Sequence, residues 1–241
     1  NEIEKLAGAN WILVVVLIVI AAVFFVVFWR HEGSAAAPMV STHYMKQRRT
    51  WGLLVTTLLT MTGVFAIMNG VVPAIAQDTT LWGGMSASTV SFATLTPYAL
   101  LGLAFGPVAG VLASKFGYHV VLRAGLVVTI IGALFGIFVA NNPSIAALVV
   151  ISVVLGISYA GTANIMLNGL GIVLSPKDNP GYLPGMNAGA FNLGAGLSFA
   201  VLYAVMNSFT VSGGAAAGYA ASLVAGAVLV GAALLCSFLI P

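Results

Sequence analysis

The stretch GPVAGVLASKFGYHVVLRAG, residues 106–125, runs through small and apolar residues as far as Ala113, then breaks for Ser114, Lys115, Phe116, Gly117, Tyr118 and His119 before turning apolar again. A chain reads this way when it leaves hydrocarbon, turns among lipid headgroups and re-enters, because charge is costly at the bilayer centre and cheap at its edge. Gly117 supplies the backbone freedom that so short a turn requires.

Composition extends this reading to the whole chain. Of 241 residues, 61% are hydrophobic and only 5% are charged, against about 25% charged in a typical soluble domain. That is too little charge to cover a water-facing surface, whereas a membrane protein presents apolar side chains to lipid. The net charge of +3 gives nucleic acid no electrostatic footing. The single cysteine, Cys236, excludes an intrachain disulfide and a cysteine-based metal site. The first apolar stretch is too long for a signal-peptide core and lacks a small-residue cleavage site. Beginning at Asn1 and stopping just after an apolar run, the chain reads as a fragment or processed piece.

Seven stretches, 11–30, 51–76, 88–113, 119–140, 145–174, 183–208 and 215–240, are long enough to cross the hydrocarbon as helices, which takes about 20 residues. They do not alternate as barrel strands would. Trp11 and Trp29 bracket the first, 18 residues apart, or roughly 27 Å of helix. Trp51 opens the second and Trp82 follows it, where aromatic belts form. Arg30, Lys46, Arg48, Arg49, Lys115, Arg123 and Lys177 fall to one side and only Lys5 to the other. The positive-inside rule makes the first side cytoplasmic. The fold class is therefore all-α integral membrane, a polytopic bundle of seven transmembrane helices in the cell membrane with a cytoplasmic C-terminus. Its expected organisation is an extra helix with an outside tail over 1–30, a polar cytoplasmic linker over 31–50, and a six-helix bundle over 51–241.

Every Asp and Glu, namely Glu2, Glu4, Glu32, Asp78 and Asp178, lies in a loop or tail. No metal cluster, carboxylate pair or catalytic triad can be assembled at mid-membrane from these residues, so neither a metal, a cofactor nor an enzymatic activity is expected. The polar chemistry that remains within spans is Asn69, Tyr98, Tyr159, Asn164, Asn168, Asn187 and Asn192. Asn164 and Asn168 share a helix face. Each amide fits interhelical hydrogen bonding as well as contact with a solute. Glycines recur at 102, 106 and 110 and again at 181, 185 and 194, spacings that suit close helix packing or helices that slide on one another.

GVLASKFGYH, residues 110–119, resembles the cytoplasmic signature of the major facilitator superfamily, Gly-x-x-x-Asp-Arg-x-Gly-Arg-Arg. Gly110, Leu112, Lys115 and Gly117 match in kind, Ser114 stands for the acid, and Tyr118 and His119 stand for the final basic pair. Pro73, Gln77, Gly84, Ser86 and Pro97 resemble the fourteen-helix drug:proton antiporter branch. So do Gly181, Gly185, Asn187, Leu193 and Gly194, with Phe191 where that branch often carries Arg. The first span resembles the second extra helix of that branch, and the other six its C-terminal half.

The resemblance implies a secondary transporter half that works by alternating access, with proton-coupled efflux of drugs or other amphipathic solutes as the leading expectation. Its implied partners are a small-molecule solute, a proton gradient, the missing N-terminal half and the lipid bilayer. By analogy the second, third, fifth and sixth spans line the cavity, and Tyr98, Tyr159, Asn164, Asn192 and Asn69 are the candidates for solute contact. The alternatives are uptake of a sugar, organic acid or nucleoside by the same superfamily, and a non-transporting scaffold or accessory subunit. The orientation has a direct check. With Cys236 replaced by Ser, an impermeant external thiol reagent on intact cells is expected to label Thr79→Cys and to spare Ser114→Cys; the reverse pattern inverts the topology.

Overall fold

The computed structural model describes residues 11–34 and 42–241, which divide into two units, one ending at residue 47 and one over 48–241. The tail over 1–10 and the part of the linker containing Pro38 lie outside the described residues, as does the side chain of Trp11. In the first unit, helix α1 (Trp11–Ser34) has 24 residues, about 36 Å of rise and more than the hydrocarbon thickness. Phe25 stacks on Trp29 one turn later, with centroids 6.0 Å apart. The Ser34 hydroxyl closes the helix by donating toward the Arg30 and His31 carbonyls at 3.2 and 3.1 Å. The short helix α2 (Thr42–Met45) follows.

The second unit holds α3 (Arg48–Gln77), α4 (Ala87–Phe116), α5 (Tyr118–Asn141), α6 (Ile145–Val173) and a helical run Tyr182–Leu239. All five are apolar and long enough to cross a membrane. The last reverses at Gly214, whose φ of 81° and ψ of 179° are not helical, and so divides into α7 (182–213) and α8 (215–239). Among the described residues there is no strand. With α1, these make the seven helices that the sequence implies.

The turns are shorter than the sequence suggests. Only Gly117, at φ 84°, leaves the helix between α4 and α5, and Ser114, Lys115, Phe116, Tyr118 and His119 are all helical. A glycine at positive φ reverses the chain in one step, so its neighbours keep their helical hydrogen bonds. Ser114, which stands for the acid of the signature, donates at 2.8 Å to the Val111 carbonyl of its own helix. Gly214 acts in the same way, and α7 runs past the expected end at 208. Within α4 the helix is interrupted at Thr94 (φ −117°, ψ −69°), three residues before Pro97, whose ring is incompatible with a regular preceding turn.

Glycine sets the packing. A Cβ on Gly63 would lie 2.7 Å from the Gly226 carbonyl oxygen, and one on Gly194 would lie 2.6 Å from Met61 Cβ, so α3 is wedged between α8 and α7. A Cβ on Gly102 would meet Ala160 at 2.7 Å, and one on Gly125 the Ser158 carbonyl at 2.9 Å, so α6 is wedged between α4 and α5. The first helix of each three-helix run, α3–α5 and α6–α8, thus packs on the last two of the other run. Gly136 against Leu223 joins α5 to α8. Gly106 has only Ile165 at 4.0 Å, and nothing lies within 4 Å of Gly110, Gly181 or Gly185. Of the two glycine series, only Gly102 and Gly194 make close contacts within this unit.

Both ends of the bundle carry polar ties. Arg48 donates from Nε to the Leu239 carbonyl at 2.8 Å and Arg123 from Nη2 to the Ser237 carbonyl at 3.1 Å. The Arg123 guanidinium also lies 4.0 Å from the Phe238 ring centre. These cations supply the C-terminal carbonyls of α8 with donors that the helix itself lacks. At the other end Asp78 accepts from Thr80 N at 2.8 Å and from the Tyr219 hydroxyl at 3.0 Å. Burial pushes the Asp78 carboxyl up, but the hydrogen bonds from Thr80 and Tyr219 favour its charged form and hold it below the usual value.

Overpacking a helix contact costs about 1–3 kcal/mol or more. Gly63→Leu and Gly194→Leu are therefore expected to lower the thermal unfolding midpoint in detergent, while Gly231→Leu, which enters open space, leaves it unchanged. Equal midpoints for all three would remove glycine contact as the basis of the packing.

Candidate functional site

The spans offer few polar groups, so the question is where the fold gathers them. Two hollows are apolar: one of about 290 Å³ beside Phe105, Val120 and Ile157, and one of about 350 Å³ beside Leu54, Leu58 and Leu193. A third, of about 200 Å³, lies between α6 and α7 and is lined by Asn164, Asn168, Ala188, Phe191 and Asn192. Three carboxamides and one aromatic ring around one hollow suit a flat, polar solute, which a purely apolar wall does not select.

The sequence makes this convergence through helix periodicity. Asn164 and Asn168 are one turn apart on α6, and Ala188, Phe191 and Asn192 follow the 3–4 spacing of one face of α7. Phe191 is half-buried and packs against the core that holds Tyr159, Met166 and Leu170, so its ring is supported from behind. Asn192 is exposed to the hollow and ties its Nδ2 to the Ala188 carbonyl at 2.9 Å.

A buried relay stands behind the hollow. The Thr57 hydroxyl of α3 donates to Asn187 Oδ1 at 2.6 Å. Asn187, 2% exposed, directs Nδ2 toward the Leu167 carbonyl and Asn168 Oδ1, both at 3.5 Å. Asn168 Nδ2 then donates to the Asn164 carbonyl at 2.9 Å and to Asn164 Oδ1 at 3.1 Å. Three helices are linked in this way, from a threonine deep in α3 to an amide at the hollow.

Of the five candidate cavity residues, the structure brings Asn164 and Asn192 together. Tyr159 is 3% exposed, with its hydroxyl donating to the Met61 sulfur. Tyr98 is half-buried, with its backbone pressed against Gly156. Asn69 is exposed on α3, bonded to the Phe65 carbonyl at 2.9 Å. None of these three lines the hollow. Sequence reasoning named Asn168 and Asn187 as span amides that fit interhelical bonding or solute contact, placed Asn187 and Phe191 in the antiporter-like segment, and did not single out Thr57. The one usable signal was the Asn164–Asn168 spacing.

The two wedged helices share another feature. α3 is wound with i→i+5 spacing over Ile67–Val71, and α6 over Gly156–Ala163. Thr162 donates from its hydroxyl to the Ile157 carbonyl five residues back at 2.8 Å. Such widened turns are rare and frequent at functional sites. The one in α6 ends immediately before Asn164.

A family model described as Major Facilitator Superfamily matches residues 6–199. The chain is 58% identical over 233 residues to a "Uridine/deoxyuridine transporter" of Lactococcus lactis subsp. cremoris (strain MG1363). That match covers 96% of this chain and 48% of the relative, so the chain spans about half the length of the curated relative it matches.

Removing a buried group that satisfies two partners leaves them unpaired, at a cost of about 1–3 kcal/mol. Asn187→Ala is expected to lower the unfolding midpoint in detergent clearly, and Asn192→Ala, at an exposed position, to leave it nearly unchanged. A reversed order would show that the relay is not part of the packed core.

Proposed function

Because the chain belongs to the major facilitator superfamily, we propose that it is one half of a secondary transporter that carries pyrimidine nucleosides across the membrane by alternating access. The observation that carries this reading is the 58% identity, over nearly the whole chain, to a protein named as a uridine/deoxyuridine transporter. The hollow between α6 and α7 supports it, since carboxamides beside an aromatic ring match the hydrogen-bonding edge and the flat face of a nucleobase. This favours the nucleoside alternative over the drug efflux suggested by the antiporter-like motifs. A nucleoside is too polar to be selected by the two apolar hollows alone.

In this reading a second half packs against the open faces of α4 and α7, where Gly110, Gly185, Gly189 and Gly196 have nothing within 4 Å. The relative's roughly doubled length supports it. The central site lies between the halves, as alternating access requires. Any proton-carrying acid belongs to that second half, because no Asp or Glu of this chain lies at mid-span.

The test is uptake. Cells without their own uridine uptake, expressing the full-length protein that carries this chain, are expected to accumulate radiolabelled uridine and to lose that accumulation under excess unlabelled deoxyuridine. Expression at the membrane with no accumulation above empty cells would end the nucleoside reading.

A further inference from the structure

We infer that the apolar hollow between α4, α5 and α6 is a groove for one acyl chain of an anionic phospholipid, whose headgroup pairs with Lys115. The inference is independent of the nucleoside reading, since none of the residues around this hollow lines the one between α6 and α7.

The groove has a buried floor and open sides. Val121, Gly125, Ser158 and Thr162 are buried beneath it, while Phe116, Val120, Ala124 and Val128 are exposed along it. The floor is tight because Gly125 has no side chain: a Cβ there would lie 2.9 Å from both the Ser158 carbonyl oxygen and Thr162 Cγ2. The two floor hydroxyls have partners within the bundle. Ser158 Oγ accepts from Thr129 at 3.0 Å, and Thr162 donates to the Ile157 carbonyl at 2.8 Å. A volume of about 290 Å³ therefore offers hydrocarbon contact and little to hydrogen-bond. That suits an alkyl chain and penalises a polar solute.

Its length fits one leaflet. Phe105, Leu112 and Phe116 follow one face of α4, and the rise from Phe105 to Phe116 is about 16 Å at 1.5 Å per residue. Half of a hydrocarbon core of roughly 30 Å is about the same depth. The groove starts at the Gly117 turn, where the chain leaves hydrocarbon, so an acyl chain lying in it has its headgroup at that turn. Lys115 is exposed there, three residues after Leu112 and on the same face. A lysine lays its stem along apolar surface and lifts its ammonium to headgroup level, where a phosphate meets it. Arg123 serves the other side of α5: it donates to the Ser237 carbonyl and lies over the Phe238 ring. A zwitterionic headgroup brings its own cation toward Lys115 and gains less than an anionic one. The groove also stays open to lipid in the whole transporter. Gly110, on the face of α4 that meets the second half in the proposed arrangement, is two residues from Leu112, about 200° round the helix.

The experiment uses the full-length protein in phosphatidylcholine vesicles, with brominated phosphatidylglycerol or brominated phosphatidylcholine quenching a tryptophan placed at the groove. Phe116→Trp is the reporter. Phe138→Trp, exposed on α5 outside the groove, is the reference, and the native tryptophans contribute equally to both. At the reporter, phosphatidylglycerol is expected to be favoured over phosphatidylcholine about fivefold, the effect of one basic residue near an anionic lipid, with no preference at the reference. Lys115→Gln is expected to bring the reporter to parity, and Lys115→Arg to keep the preference. Parity at the reporter with Lys115 intact overturns the inference. So does an equal preference at both positions, which marks a general effect of surface charge, and so does a preference that survives Lys115→Gln. The two tryptophan positions are compared with Lys115 unchanged, so they decide the matter even where a Lys115 variant fails to insert. If Phe116→Trp fails to insert, Val120→Trp, exposed across the groove, takes its place.

Discussion

The carbonyl oxygen of Gly226 lies against Gly63, and there two helix backbones touch with no side chain between them. In hydrocarbon no hydrophobic force drives helices together, so association depends on van der Waals fit and on polar links between helices. Gly63 and Gly194 give α3 a groove on each flank, and Gly102 and Gly125 let α4 and α5 close on α6. The interleaving of the two three-helix runs follows from these contacts. Around them the polar groups find partners across helices: Ser198 Oγ accepts from the Ala66 amide at 2.8 Å, and Thr129 lies 3.0 Å from Ser158 Oγ. Close approach makes these bonds short, and the bonds in turn fix the register of the helices.

The same constraint shapes the hollow. Because α3, α6 and α7 meet tightly, Thr57 and Asn187 are sealed from lipid and must satisfy each other. Their pairing propagates to amides that are not sealed. A packed interior and a polar, open surface are thereby joined by one run of hydrogen bonds. The widened turn ending just before Asn164 adds to this arrangement, since it sets the angle at which the rest of α6 presents its amides.

Much of the architecture could be read from residue order. Run lengths, the placement of the tryptophans and the scarcity of charge located all seven helices to within a few residues, and Gly117 announced a turn. Faces were another matter. A helix apolar all round gives no moment from which to read its orientation, so nothing in the sequence distinguished Gly102, which abuts Ala160, from Gly110, which meets open space. Tyr159 and Asn164 looked equivalent as polar residues within one span. The tyrosine lies within the widened turn and under Met61, and the amide follows that turn at the hollow. Phe191 was noticed only for the charge it replaces, and its service as a flat support depends on α6 lying opposite.

The single-residue connections at Gly117 and Gly214 have a consequence for how this chain tolerates change. Both glycines sit at positive φ, 84° and 81°, in a region that other residues enter only with strain. The hairpins α4–α5 and α7–α8 thus have no slack at their tips. An epitope, a reporter domain or a protease site placed there would have to unwind helix on both sides. The connections over 78–86 and 174–181 contain non-helical residues and offer backbone that is not committed to a helix. Sequence drift and engineering should both concentrate in these two, leaving the glycine tips as fixed points of length in any lineage that keeps this bundle.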